Sequence, residues 1–311
     1  TKSHKGSKDK EMIRFGTNEA HLRTMVLKKG KQYQIDMHLK HNRSKGIAVN
    51  KIPMKKASEL FGILNIVFFS PEDLNIIKNG PSERRHFLDA ELCQLDKIYL
   101  SDLSNYNKIL NQRNKLLKDM VYRPELSDTL PVWDMQLIDT GKKIIRRREQ
   151  FVKELNEIVH EIHYRISGGR EELFLSYEPS VSADLLEQEL ERVKPRDLKQ
   201  CQTSVGPHRD DLLFSIAGVD IRKFGSQGQQ RSAALALKLA QLEYVRQEID
   251  EFPVLLLDDV MSELDDQRRC QLLKFIDGKV QTFITVNDKA LIPDLSGNAY
   301  FRIIEGRIAE G

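Results

Sequence analysis

A short apolar segment that ends in two acidic residues limits the fold of this chain more than any other part of it. Residues 254–259 read Val-Leu-Leu-Leu-Asp-Asp. A continuous apolar run of this length is typical of a strand buried on both faces, as in a parallel sheet covered by helices. Such a strand delivers the residues at its end to the carboxyl edge of the sheet, where open α/β folds bind ligands. The segment therefore predicts an α/β fold with Asp258 and Asp259 at that edge.

Carboxylates at this edge suit a magnesium ion that also bridges nucleotide phosphates. Asp258 is the candidate magnesium ligand, and Asp259 is the candidate for orienting or deprotonating an attacking water. The same residues are equally consistent with a strand that ends in solvated acids or in a helix N-cap.

A second candidate segment lies upstream of the acidic strand. Residues 224–229 read Phe-Gly-Ser-Gln-Gly-Gln and lead into an alanine- and leucine-rich helix predicted to start at about Ser226. Two glycines allow the backbone to approach a ligand, and a helix N-terminus favours an anion such as a terminal phosphate. An ordinary Ser-capped helix has the same pattern, so the position ahead of the acidic strand strengthens the prediction.

The N-terminal part of the chain is predicted to be a basic, mostly antiparallel β region. Its alternating segments are separated by turn signals at Lys29-Gly30 and Lys45-Gly46. The run 65–69 reads as a buried strand, followed by a helix start with Ser70 and Asp73 in a capping box.

The middle of the chain, from residue 71 to about 200, is predicted to be largely helical. Apolar residues spaced by threes, fours and sevens over 131–167 predict an antiparallel helical arm or a small coiled coil that stops at Gly168-Gly169. An exposed strand is predicted around 173–177.

The C-terminal part returns to short strands and then to α/β alternation. A hairpin around Ala217-Gly218, strands at 254–257 and 280–286 and a helix over 265–275 complete the prediction. We therefore expect one α/β lobe from 1–70 and 201–311, with the candidate segment at 224–232, and a second, helical lobe from 71–200.

Charge is distributed unevenly along the 311 residues. The whole chain has 49 Lys and Arg against 46 Asp and Glu, a net +3, but residues 1–56 hold 15 basic and 4 acidic residues. That local +11 indicates a polyanionic partner. The alternative is a lysine-rich sheet edge that is merely solvated and resists aggregation.

Cysteine usage and hydropathy favour a cytoplasmic protein. Cys93, Cys201 and Cys270 are far apart and odd in number, so neither a disulfide framework nor a cysteine zinc site is expected. No segment approaches the roughly 18 apolar residues of a membrane span, and residues 1–5 do not resemble a signal peptide.

Together these segments resemble the signature, Walker B and D-loop motifs of ABC-type ATPases. The signature is matched by 226–229, the Walker B strand by 255–259 and the D-loop by Ser-Glu-Leu-Asp at 262–265. Three further segments, 69–74, 80–89 and 205–211, resemble the RecF family of bacterial recombination mediators. The motifs occur in the order typical of that family, and the resemblance runs from Thr1 to the C-terminus.

The resemblance implies an ABC-type ATPase core with a parallel sheet, an antiparallel β region and an inserted helical lobe. It also implies an ATP-dependent homodimer that binds double-stranded, gapped and single-stranded DNA and loads RecA together with RecO and RecR, in DNA replication, repair and the SOS response. ATP and Mg²⁺ are the implied cofactors. On this model Asp258 serves magnesium and Asp259 the catalytic water, as expected from the residues themselves.

The remaining implied nucleotide contacts come from several segments. Ser226 and Gly228 contact the γ-phosphate held by the partner subunit, Asp265 lies across the dimer interface, and Ser70 and Glu72 occupy a nucleotide-sensing hinge. The whole predicted set of cofactor-binding residues is Ser226, Gln227, Gly228, Gln229, Ser70, Glu72, Asp265 and Asn287. The residue types of the basic region give the predicted DNA-binding group: Lys28, Lys29, Lys31, Lys40, Arg43, Lys45, Lys55 and Lys56.

Three departures from the wider superfamily limit these implications. The sequence contains no G-x-x-x-x-G-K-[ST] phosphate-binding loop. Since the family places this loop upstream, we expect a chain truncated before Thr1, inactive alone, with a slow ATPase as its parent. Asp259 stands where many relatives carry Glu, which predicts slow hydrolysis. Asn287 stands where a switch histidine is common, so a γ-phosphate sensor there is in doubt.

Two other functions are alternatives to the recombination mediator. An SMC-like DNA tether requires hundreds of residues of sustained heptads, which the helical segment does not provide. A transporter's nucleotide-binding subunit fits poorly with the basic N-terminal region and the long helical insertion. The motif residues Arg84, Arg85, His208 and Arg209 are equally consistent with a functional role and with structural ion pairs between lobes.

Overall fold

The computed structural model describes residues 8–292 and 299–309, apart from the side chains of Ala57 and Ser58. The strands are β1 (Glu19–Lys28), β2 (Lys31–Lys40), β3 (Arg43–Val49), β4 (Ile52–Pro53), β5 (Ile66–Phe69), β6 (Leu173–Glu178), β7 (Asp211–Ile216), β8 (Val219–Asp220), β9 (Val254–Asp258), β10 (Thr282–Thr285), β11 (Arg302–Ile304) and β12 (Arg307–Ala309). The α-helices are α1 (Leu74–Lys78), α2 (Pro81–Leu95), α3 (Lys97–Asp119), α4 (Leu130–Ile166), α5 (Leu186–Gln200), α6 (Ile221–Phe224), α7 (Gln227–Ile249), α8 (Val260–Glu263) and α9 (Asp266–Ile276). The prediction about the chain start at Thr1 lies outside the described residues.

A three-stranded parallel sheet positions the acidic segment. Its order is β10-β9-β5, and the register pairs Phe69 with Leu257 and Thr285 with Asp258. Strands that run parallel end at the same edge, so the residues that follow β5, β9 and β10 lie close together. The predicted α/β class with a parallel sheet is confirmed.

The basic N-terminal region forms a separate antiparallel sheet of order β1-β2-β3-β4. Lys29 and Gly30 both have positive φ angles, as a two-residue type I′ hairpin turn requires. The predicted turn at Lys45-Gly46 is wrong, because both residues lie inside β3 and the chain instead reverses at 41–42. Ile47 and Val49 are buried and alternate with less buried residues, and this apolar face keeps the segment in the sheet despite its glycine.

The helix α4 is continuous over 37 residues and carries the predicted apolar stripe. Its buried members include Ile145, Val152, Leu155 and Val159. The prediction of an arm or coiled coil is wrong: besides α3, the helix packs against β6 and α7 and joins the main core. Positive φ angles at 168–169 end the helix as predicted.

The strand β6 joins the helical segment to the rest of the chain. It pairs antiparallel with β7, which continues through the turn at Ala217-Gly218 into β8. The prediction that β6 is exposed is wrong, because Leu173 and Leu175 face the core and alternate with exposed residues. The hairpin around Ala217-Gly218 is confirmed.

Helix α7 lies at the centre of the core. It packs against α4, α1 and β5, and its residues from Ser232 to Val245 are buried almost without interruption. A helix buried on nearly all sides needs small and apolar residues all round, which explains its alanine- and leucine-rich sequence. Over the described ranges, no helix combines the length and apolar character needed to cross a membrane.

Candidate nucleotide site

The two acids after β9 differ in how the structure holds them. The Asp258 carboxylate accepts a hydrogen bond from the Thr285 hydroxyl at 2.7 Å, across the parallel pair β9–β10. The same hydroxyl oxygen accepts the Asp259 backbone N–H at 3.1 Å. Thr285 therefore locks the end of β9 to the end of β10 and fixes the orientation of the Asp258 side chain.

Asp259 adopts a left-handed backbone conformation, with a φ angle of 54°. Aspartate is one of the few non-glycine residues that enter this region readily. Its carboxylate Oδ1 accepts the Ser262 hydroxyl at 3.1 Å, and that hydroxyl also lies 2.8 Å from the Asp259 carbonyl oxygen. The sharp turn carries Asp259 out of the strand direction, and Ser262 holds it there.

The predicted sensing residues occupy the same edge of the sheet. Ser70 directly follows β5 and is buried, and its backbone N–H donates to Asp73 Oδ2 at 2.8 Å. Glu72 is exposed in the short 3₁₀ turn after Ser70, and Asn287 is exposed two residues beyond Thr285. The sheet thus places these three predicted residues around Asp258 and Asp259.

The signature segment begins helix α7. The Ser226 hydroxyl oxygen accepts the Gln229 backbone N–H at 3.1 Å, and Gln229 Oε1 accepts the Ser226 backbone N–H at 2.8 Å. This reciprocal capping box stabilises the first turn of α7. The Gln229 side chain also donates to Glu171 Oε1 at 2.9 Å, which anchors the turn to the segment between α4 and β6.

Two glycines in this turn have different structural requirements. A Cβ atom on Gly225 would lie 2.5 Å from the Ile221 carbonyl oxygen, so no side chain fits there. A Cβ atom on Gly228 would meet only ordinary contacts, at 3.5 Å from an Arg268 nitrogen and 3.8 Å from the Ser226 hydroxyl. Packing among the described residues therefore requires glycine at 225 but does not by itself require glycine at 228.

Arg268 joins the signature turn to the D-loop segment. Its guanidinium donates to the Gly228 carbonyl at 3.1 Å and to the Ser232 hydroxyl at 2.7 and 2.9 Å, and it also pairs with Asp265. Asp265 caps α9, and its hydrogen bond from the Arg268 backbone N–H lowers the pKa of its carboxyl. The contact brings two predicted segments together through a residue that the sequence did not single out.

The predicted site residues therefore fall into two groups. Ser70, Glu72, Asp258, Asp259 and Asn287 lie at the edge of the parallel sheet, while 226–229 and Asp265 meet around Arg268. Sequence reasoning missed Thr285 and Arg268. The predicted strand at 280–286 could have identified Thr285, because a parallel neighbour of β9 must end beside Asp258.

The edge of the sheet is chemically suited to magnesium. Asp258, Asp259 and Thr285 offer only oxygen donors, which is the ligand type that Mg²⁺ prefers. All three residues are at least partly exposed, so hydration water can complete the coordination. The donor set fits the ion that the sequence predicts at Asp258.

The basic motif residues of 80–89 and 205–211 form structural contacts, of which those of Arg84 are the most buried. The Arg84 guanidinium, which is 1% exposed, makes a two-point contact with Asp211 at 2.5 and 3.0 Å and donates to the Asn79 carbonyl at 2.6 Å. Arg85 donates to the Asp210 carbonyl at 2.8 Å. These contacts fasten α2 to the start of β7, in agreement with the structural alternative for these residues.

His208 and Arg209 lie beside this contact. His208 Nδ1 is 2.7 Å from the Tyr106 hydroxyl and its Nε2 is 3.1 Å from the Thr203 carbonyl oxygen. Burial lowers the pKa of His208 to about 4, so its ring is neutral at physiological pH. Arg209 donates to the same carbonyl at 3.3 Å. Neutral His208 has both ring nitrogens engaged.

Buried arginines from the long helices complete this network, and sequence reasoning missed them. Arg148 of α4 donates to Asp89 at 2.7 Å and to the Pro207 carbonyl at 2.7 Å, while Arg113 of α3 pairs with Asp197 at 2.9 Å. Buried charges require such partners, since an unpaired one is strongly destabilising. Apolar periodicity alone carried no signal for them.

The predicted DNA-binding group lies on and after the antiparallel sheet. Lys40 pairs with Glu19 and Lys45 with Asp9, each at 3.2 Å, and Lys28 donates to the Gly62 carbonyl. In the part of the chain that the structure describes, the other members are exposed and their side chains have no hydrogen-bond or ion-pair partner: Lys29, Lys31, Arg43, Lys55 and Lys56.

Comparison with known proteins identifies close relatives over nearly the whole chain. No protein-family model matches. The chain is 62% identical over 310 residues to the DNA replication and repair protein RecF of Agathobacter rectalis, covering 99% of this chain and 85% of that protein. It is 54% identical over 312 residues to RecF of Lachnospira eligens, covering 99% and 86%. A solved structure of the recombination mediator protein RecF-ATPrS in the RecFOR pathway superimposes with a TM-score of 0.90 at 38% identity, covering 99% of this chain and 84% of that one.

Proposed function

Because this chain belongs to the RecF family of DNA replication and repair proteins, we propose that it acts as an ATP-dependent mediator of recombination on gapped DNA. In this role it dimerises on duplex DNA next to a single-strand gap and promotes RecA loading together with RecO and RecR. Its place of action is the cytoplasm. The family relationship favours this function over an SMC-like tether or a transporter subunit.

One observation carries the nucleotide part of the proposal: Asp258 and Asp259 stand at the edge of the parallel sheet, with Asp258 oriented by Thr285. Asp258 would hold Mg²⁺, and Asp259 would orient the attacking water. The bound ion would neutralise charge on the nucleotide phosphates. Hydrolysis by the 311 residues alone is not expected, since their sequence contains no G-x-x-x-x-G-K-[ST].

The signature turn would serve the nucleotide of a second subunit. Ser226 and Gly228 lie at the N-terminus of α7, where free backbone N–H groups and the helix dipole favour a phosphate. Among the described residues, none lies close enough to Gly228 to exclude a side chain, which agrees with a role in close approach to a ligand. Arg268 would transmit the position of this turn to the D-loop.

DNA contact is assigned to the exposed cations of the antiparallel sheet and the segment after it. Exposed lysine and arginine side chains without carboxylate partners are free to neutralise phosphates, which gives salt-dependent binding with little base preference. Lys55 and Lys56 are the sharpest test, because they are adjacent and exposed.

Fluorescence anisotropy with a gapped duplex at several salt concentrations tests this surface. The double variant Lys55→Glu/Lys56→Glu is expected to bind more weakly and to lower the slope of log K against log salt by about 0.9 for each phosphate that the protein no longer neutralises. The matched control is Lys115→Glu/Lys118→Glu, two exposed lysines on α3 with the same charge change. Equal weakening in the two variants would reduce the effect to net charge and contradict this DNA surface.

A further inference from the structure

Two histidines and a glutamate meet on the solvent face of the antiparallel sheet. The register places His21 of β1 directly opposite His38 of β2, and Glu19 lies on the same face because strand side chains alternate. The opposite face of β2 carries the buried residues Ile35 and Leu39. The three polar side chains therefore face water and belong to no packing layer of the core.

These side chains already lie close to one another. The two imidazole rings stack with centroids 3.8 Å apart, and His38 Nε2 is 3.0 Å from Glu19 Oε2. One nitrogen from each histidine and one Glu19 oxygen all lie within 4.8 Å of one another. Gly46 pairs with His38 on β3, so the far flank of that imidazole has no side chain to obstruct it.

We propose that Glu19, His21 and His38 form a binding site for a divalent transition-metal ion of the Zn²⁺ type. Imidazole nitrogen and carboxylate oxygen are both ligands that Zn²⁺ accepts, and three protein ligands leave a fourth position for water. A tetrahedral ion with bonds of about 2.0–2.1 Å needs donors roughly 3.3 Å apart, which side-chain rotation can reach from the present separation. Two imidazoles favour such an ion over Mg²⁺ or Ca²⁺.

Binding requires one existing contact to change. Lys40 pairs with Glu19 Oε2 at 3.2 Å, and the Lys40 and Glu19 side chains are both more than a third exposed. An exposed pair of this kind contributes little stability, so its loss does not oppose the ion strongly. The proposal does not depend on DNA or nucleotide binding.

Isothermal titration of the tag-free 311-residue chain with Zn²⁺, and separately with Ni²⁺, tests the site. We expect the unmodified chain to bind the ion. The affinity should fall at least about tenfold in His21→Gln and in His38→Gln, because each substitution removes a direct ligand. Glu19→Gln is expected to weaken it as well. The matched control is His41→Gln, which lies at the exposed turn after β2 and outside the cluster.

The result is decisive because all substitutions are at exposed or half-exposed positions and leave the core intact, which circular dichroism can verify. Absence of binding to the unmodified chain would overturn the proposal. Equal affinity in the unmodified chain and in His21→Gln and His38→Gln would overturn it too, and would assign any bound ion to other side chains, such as exposed Cys270.

Discussion

A buried glutamate on α2 makes the stability of this protein depend on pH. Glu91 of α2 is 7% exposed and lies near Lys238 and Gln241 of α7, and Lys238 in turn pairs with Asp73 at 3.2 Å. Burial raises the pKa of the Glu91 carboxyl from 4.5 to about 7, although the Lys238 charge opposes this rise. Its Oε2 atom is buried without a hydrogen-bond partner in the described residues, as expected for a site that prefers the protonated form.

The sign of the effect follows from proton linkage. Between pH 4.5 and about 7 the unfolded chain has released the Glu91 proton and the folded chain retains it, so stability falls as pH rises through this range. At about 1.4 kcal/mol per unit of pKa, the rise from 4.5 to about 7 corresponds to a loss of about 3 kcal/mol by pH 8.5. Glu91→Gln mimics the protonated side chain and removes this loss.

Urea unfolding followed by the fluorescence of Trp133, the single tryptophan, measures the difference. The stability of Glu91→Gln relative to the unmodified chain is expected to improve by about 2–3 kcal/mol between about pH 5 and pH 8.5. Glu149→Gln, at an exposed position of α4, is the matched control and should show no such trend. If Glu91→Gln and the unmodified chain respond to pH in parallel, the buried carboxyl does not hold a proton in the folded state.

Three further outcomes are expected. Arg84→Ala removes the buried guanidinium and leaves the Asp211 carboxylate and the Asn79 carbonyl without their donor. It should destabilise the fold by about 3–5 kcal/mol in urea unfolding, and a loss below about 1 kcal/mol, as for an exposed ion pair, would contradict this. Gly225→Ala places a methyl group 2.5 Å from a backbone carbonyl and should lower the melting temperature, whereas an unchanged melting temperature would show that the turn can open. Burial raises the pKa of the Cys93 thiol to about 12, so a thiol reagent at pH 8 should label exposed Cys270 and spare Cys93, as peptide mass spectrometry of the native chain can establish.

Local sequence patterns predicted the elements that carry the site. The apolar run before Asp258 predicted β9, and the Ser226 pattern predicted the capped start of α7. Both signals act within a few residues: continuous burial requires apolar side chains, and a helix start requires a side chain that accepts its free N–H groups. The turn predicted at Lys45-Gly46 was wrong, because a glycine is also compatible with a strand when its neighbours bury an apolar face.

The roles predicted for the site residues remain predictions, but their grouping is now defined. Sequence order alone did not indicate that Asp265 and Gly228 meet through Arg268. Nor did it indicate that Thr285 orients Asp258, since the partner lies 27 residues away. Only the packing of α9 against α7, and of β10 beside β9, creates these contacts.

The sequence by itself determined the class of fold, the order of its elements and the family to which the chain belongs, because periodicity, caps and motifs each depend on residues that are close together in the chain. Tertiary structure alone decided which charged side chains are buried and which residues they pair with. Arg84 meets Asp211 across 127 residues, and Arg113 meets Asp197 across 84. Such pairs depend on how helices pack in three dimensions, and a buried charge becomes tolerable only when packing brings its partner to it.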